Sequence, residues 1–191
     1  MEIIKLLALL IGSVIVLTSC AARPAPNLSY QEKPFRAHIL CESDELSFGA
    51  ILTSIPSSEE QGISGRDITL EFTSPETLCG IKVYKNGGEV SVRLDEMDIS
   101  APHAIRWLSL AELFDIDATV KHSSVEMLDG QKLNFIKAVS DDGREFSLYL
   151  YPSSGLPRRI SGDINGIPLT LDVISFEFIP QQKNLKQGRE Q

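Results

Sequence analysis

The chain is short of the residues from which most catalytic and metal centres are built. Its 191 residues include three histidines, three cysteines and one tryptophan. His38, His103 and His122 stand far apart in the chain. None lies two or four positions from another or from a cysteine, so no local metal site is written here. No Gly-x-Ser-x-Gly, no Walker loop and no dinucleotide fingerprint occurs. Asp163-Ile164-Asn165-Gly166 opens like a calcium loop, lacks the later ligands, and reads better as a hairpin turn. There is no internal repeat and no low-complexity block. Positive charge is scarce as well: 18 Lys and Arg against 26 Asp and Glu give a net charge of −8. Affinity for nucleic acid or bare phosphate comes from Lys and Arg, so this balance argues against such partners, and against a domain lying flat on an anionic membrane. The expectation is a non-enzymatic protein with no cofactor and no metal.

What is present begins with an apolar run, Leu6 to Leu17, too short for the ~20 residues a spanning helix needs. The chain then turns polar and proline-rich. Leu17-Thr18-Ser19-Cys20 resembles the lipobox of a bacterial lipoprotein signal peptide. The resemblance implies that residues 1–19 are removed and that Cys20 carries lipid. The mature chain is then anchored on the extracytoplasmic face of a cell membrane, the outer membrane being possible in a diderm cell. Removal takes away Glu2 and Lys5, so the net charge stays at −8. Residues 20–34 read as the lipidated N-terminus and a flexible tether with a reach of about 20 Å. Pro24, Pro26 and Pro34 rule out a regular helix there. With 42% hydrophobic and 23% charged residues the remainder is ordinary globular material, enough for one domain with its own core. Residues 180–191 are polar and read as a disordered tail.

From Phe35 the pattern has period two, as half-buried antiparallel strands require. Phe35, Ala37, Ile39 and Cys41 share one face. Leu46, Phe48, Ala50 and Leu52 follow, then Ile68, Leu70 and Phe72, then Ile81 and Val83. Asn86-Gly87-Gly88 turns the chain back into Val90, Val92 and Leu94. Residues 101–115 switch to helical spacing, as one kinked helix or two short ones, with Ala104, Trp107, Leu108, Ala111 and Phe114 on one apolar face. Strands resume at Val125 and Met127. Turns at Asp129-Gly130, Asp141-Asp142-Gly143, residues 151–157 and Asn165-Gly166 separate Leu133 and Phe135, then Phe146, Leu148 and Leu150, then Ile160, then a long last strand. The phase of that strand slips between Val173 and Ile174, which predicts a bulge. The fold class is mainly β with a small helical insert: about ten strands over residues 35–179, forming a curved antiparallel sheet or half-barrel with a helical lid. In a meander, Cys41 and Cys79 sit three strand spacings apart, roughly 14 Å, beyond the ~7 Å a disulfide allows. Two buried free thiols are the default, and strong curvature or a different strand order would bring them together. Arg158-Arg159 reads as solvated edge charge.

Five strands, a helical lid and a second set of strands behind a lipobox look like the lipoprotein carrier and receptor fold (LolA/LolB-like). Residues 146–157, FSLYLYPSSGLP, are similar to that family's late strand and turn, and residues 68–75 with Gly80 to an early strand and its exit. The strand through Phe178 is similar to its closing strand. The resemblance implies a cavity between sheet and lid that accepts acyl chains. The candidate ligand-binding residues are Phe48, Phe72, Trp107, Leu108, Phe114, Phe135, Phe146 and Leu148. Plain packing of Trp107 on the sheet is the competing reading, and with it an envelope interaction or structural lipoprotein whose core is filled by its own side chains.

Overall fold

The computed structural model describes residues 28–43, 47–56, 66–86, 89–114, 118–141, 143–164 and 166–180. The expectations for Cys20, the signal peptide, most of the tether and residues 181–191 lie outside the described residues, as do Leu46, the turn glycines Gly87 and Gly88, Asp142 and Asn165.

Eleven strands among these residues form a single antiparallel sheet, curved and unclosed. They are β1 (Phe35–Glu42), β2 (Ser47–Pro56), β3 (Arg66–Ser74), β4 (Lys82–Asn86), β5 (Glu89–Leu94), β6 (Met97–Ser100), β7 (Ala118–Leu128), β8 (Gln131–Ser140), β9 (Glu145–Leu150), β10 (Pro157–Ile164) and β11 (Ile167–Phe178). The spatial order is β6-β5-β4-β3-β2-β1-β11-β10-β9-β8-β7. Two meanders are thus joined where the first strand meets the last, and β6 and β7 are the edges. Local turn chemistry produces most of this. Leu128 pairs with Gln131 around Asp129-Gly130, whose φ values of 51° and 77° are those of a type I′ hairpin, the turn that matches the twist of antiparallel strands.

Cross-strand pairing sorts side chains into two faces. One inner row runs Ala37, Leu52, Leu70, Val83, Val92, Ile99 across β1 to β6. Another runs Phe48, Cys41, Leu171, Ile160, Leu148, Ile136 from β2 through β1 to β8. Every member of the second row is buried. The slip expected in the last strand is present: Ile39 pairs with Val173 and His38 with Ser175, which leaves Ile174 extra and exposed.

Several expectations need correction. Met97–Ser100 is a strand, and β7 begins at Ala118 rather than near Val125. The helical lid is not present as a helix. Residues 102–113 are a 3₁₀ turn (Pro102–Ala104), one α turn, α1 (Ile105–Leu108), and a second 3₁₀ stretch (Ser109–Leu113). The segment must cross the sheet from the end of β6 to the opposite end where β7 starts. A 3₁₀ helix rises ~2.0 Å per residue against ~1.5 Å for an α-helix and covers that length with fewer residues. At the N-terminus, Ser29–Glu32 is a 3₁₀ turn and Tyr30 is buried, so the packed domain includes residues read as tether. Arg158 and Arg159 lie on β10, an interior strand, and not on an edge. Both Cys41 and Cys79 are free, but only Cys41 is buried. Cys79 follows the short 3₁₀ turn Glu76–Leu78 and faces solvent.

Candidate functional site

The inner face is where the sequence-derived site residues gather. Phe48 and Phe72 come from neighbouring strands β2 and β3, and their ring centroids lie 5.2 Å apart. Trp107 of α1 stands nearly perpendicular to both, at 5.7 Å from Phe48 and 5.4 Å from Phe72. Such edge-to-face contacts set positive ring edges against negative ring faces. Leu108, Leu110, Ala111, Leu113 and Phe114 are buried behind it. Phe114 meets Phe35 at 5.7 Å, and Phe35 stacks on Phe176 at 4.8 Å. Phe146 and Leu148 of β9 complete the inner face on the other half of the sheet. The fit there is close: a methyl group added at Gly162 would lie 2.8 Å from Phe146 and 3.0 Å from Leu113.

Phe135 is the exception among the candidate residues. It pairs with Tyr149, at 5.0 Å between centroids, and both lie on the outer face. On β8 the inward positions are Ile136 and Ala138. Both parities of that strand are apolar, so alternation alone cannot choose between Phe135 and Ile136. Leu133, nearly fully buried, shares the outward parity and stands apart from the main core cluster.

The sequence reading missed what happens at the two edges. Beyond the segment 102–114 the inner rows are no longer covered: they stay apolar to the β6 edge, while at the β7 edge the Ala138 row continues to Val120 and the Ile136 row ends at Ser123. At one edge Leu94, Met97 and Ile99 are exposed, Ile99 to 52% although Val83, two strands inward in the same row, is 2% exposed. At the other edge Val120, Val125 and Met127 are exposed, with Met127 at 60%. All three share the inner parity of β7 through their pairing with Ala138, Asn134 and Lys132. The usable signal was Met97-x-Ile99 after Asp95-Glu96, which continues the alternation of β5.

The outer face carries a polar row by contrast. Glu42, Thr170, Ser161, Ser147 and Lys137 form one row across it. They line a cleft of about 760 Å³ together with Glu145 and Arg159. Its groups satisfy one another: Lys137 pairs with Glu145 at 2.7 Å, and the hydroxyls of Ser161 and Thr170 lie 3.2 Å apart. Beside it Arg159 donates to both carboxylate oxygens of Asp172, from Nε at 2.6 Å and Nη2 at 2.9 Å. Arg158, brought alongside by a register shift in β10, donates to Asp172 at 2.9 Å and to Asp129 at 3.2 Å. Burial works against the ionised Asp172, but the two guanidiniums outweigh it and hold the carboxyl below its ordinary range. Tyr149 donates to Glu126 at 3.2 Å, and burial with that carboxylate's charge raises the phenol. Gly162, Pro168 and Leu169 also line this cleft, whose polar row lies across the sheet from the aromatic cluster. Among the described residues no group of three or more His, Cys, Asp or Glu is placed to hold a metal ion, and no helix is long and apolar enough to cross a membrane.

No protein-family model and no curated protein matches the sequence. Solved structures of similar fold include three bacterial proteins. An uncharacterized conserved protein from Thermus thermophilus is 15% identical and aligns over 81% of this chain and 85% of its own, with a TM-score of 0.49. LprF from Mycobacterium bovis is 10% identical over 79% and 89%, with a TM-score of 0.46. A LolA superfamily protein from Nitrosomonas europaea is 11% identical over 78% and 88%, with a TM-score of 0.37. Each likeness is partial, at 15% identity or less and a TM-score below 0.5.

Proposed function

We propose that this protein is a lipid-anchored lipoprotein of an extracytoplasmic membrane face, without catalytic activity, that binds a lipid acyl chain or another apolar ligand on the inner face of its sheet. The observation that carries this reading is the exposed apolar side chains of inner parity at both open edges, Leu94, Met97 and Ile99 on one and Val120, Val125 and Met127 on the other. Exposed apolar side chains flanking a covered apolar face suit a hydrophobic ligand. The site therefore extends from the centre, where Trp107 packs against Phe48 and Phe72, towards the flanks marked by Ile99 and Met127. A second reading, an envelope interaction lipoprotein with a filled core, is favoured by that same Trp107 packing and by the closeness of Leu113 to Gly162.

Native mass spectrometry of protein extracted from cells separates the two without a guess about the ligand. Co-purifying lipid is expected, followed by a saturable change in Trp107 emission when fatty acid or phospholipid is titrated into soluble protein comprising residues 22–191. Trp107→Phe removes the optical signal and keeps most of the binding, because it leaves an apolar ring in place. No bound lipid together with a flat titration would remove the ligand reading in favour of the interaction protein.

A further inference from the structure

The chain enters the fold at one end of the sheet, and its entry point is pinned. Tyr30 lies between Phe35 and Phe176, at 6.5 and 5.7 Å between ring centroids. The Arg66 guanidinium donates to the backbone carbonyls of Gln31 and Lys33 and to the Ser54 hydroxyl, over the face of the Phe35 ring. The strand end that receives the chain is also where β1 starts and where β2 and β11 finish, since Phe35 pairs with both Ser54 and Phe178. It presents two exposed apolar side chains, Ile55 and Phe178, and the Lys33 ammonium lies over the Phe178 ring at 5.1 Å.

Only residues 21–27 separate Cys20 from Leu28. Fully extended, that length reaches at most about 28 Å, and as a flexible chain about 15 Å. The twelve residues of β11 are about 40 Å long at ~3.3 Å per residue. A tether shorter than the strand it would have to pass cannot let the domain turn over.

We propose that the strand end carrying Lys33, Ile55 and Phe178 faces the bilayer and meets its surface, while the opposite end, where Ile164 pairs with Ile167, points away. This rests on the lipid-anchor reading of Cys20. Charge does not drive the contact, since Lys33, Arg36 and Arg66 beside Ile55 and Phe178 are matched by Glu32, Asp67 and Glu177. The tether supplies proximity, and the aromatic and aliphatic side chains with their neighbouring ammonium suit the boundary between headgroups and acyl chains.

The test uses full-length lipidated protein in phosphatidylcholine vesicles whose acyl chains are brominated, in a Trp107→Phe background. A single tryptophan is placed at Phe178→Trp, at the near end, or at Ile167→Trp, at the far end; both positions are more than 40% exposed. Several-fold stronger quenching at position 178 than at 167 is expected. Ten Gly/Ser residues inserted after Ala25 should raise the signal at 167 by permitting inversion. Equal quenching at both positions, or none at either, overturns the orientation. Flotation of the same vesicles judges the anchor separately: if wild type and Cys20→Ala float alike, the anchor reading fails and takes the orientation with it. Co-flotation of wild type alone with equal quenching rejects the orientation and leaves the anchor standing.

Discussion

Cys41 closes β1 on the inner face and is fully buried, whereas Cys79 lies on an open turn. Burial pushes the Cys41 thiol up to about 11, with the charge of Glu42 adding to it. Thiolate is the reactive form, so the two cysteines should behave differently. In protein comprising residues 22–191 at pH 8, a thiol reagent should label Cys79 quickly and Cys41 only on unfolding, and Cys79→Ser should abolish the fast phase. Two fast thiols would contradict the burial. The same shift has a stability consequence. Below pH 9 the thiol is neutral in both states and contributes no slope. Between pH 9 and about 11 the unfolded chain loses the proton that the folded one keeps, so stability falls as pH rises, by on the order of 2 kcal/mol. Cys41→Ala should flatten that limb in denaturant titrations. The inward position of Cys41 was legible, because it ends a strict alternation from Phe35. The exposure of Cys79 was not, because no periodicity governs a turn.

At the scale of elements, the informative one is the segment between β6 and β7. Its apolar spacing showed in the sequence, yet spacing cannot distinguish a helix that covers a hollow from a short irregular piece that fills it. Gly162 reports which occurs, since β10 there leaves no room for a side chain between Phe146 and Leu113. Gly162→Val should destabilise the protein by about 1–3 kcal/mol through overpacking. Urea unfolding followed by Trp107 emission would measure it. An unchanged midpoint would mean that the segment stands off the sheet and that the space beneath is open. The Arg158-Arg159 pair belongs to the same scale. As letters in a sequence the two arginines look like protection for an edge strand. The register places them inside the sheet, where they share Asp172.

For the whole molecule, the separation of a polar outer face from an apolar inner one decides what it can bind. Ile99 and Met127 sit at opposite open edges, and both are more exposed than buried. Ile99→Lys and Met127→Lys should therefore change stability little, within about 0.5 kcal/mol for exposed positions. Each should weaken acyl-chain binding several-fold in the Trp107 titration. Loss of stability without loss of binding would place the ligand elsewhere.

By itself the sequence determined the strand alternation, the glycine turns, the bulge near Ile174 and the apolar character of the segment around Trp107. These are consequences of backbone sterics and of side-chain period, which act over a few residues. The tertiary structure alone decided that β1 pairs with β11, that β6 and β7 are left as edges, and that Phe135 points away from the aromatics of the inner face. It also decided that inner rows emerge uncovered at Ile99 and Val120. Those outcomes depend on which strands, distant in sequence, share a ladder and on how far a connecting segment reaches across it. The period of a strand states that it has two faces, and only its neighbours state which face is covered.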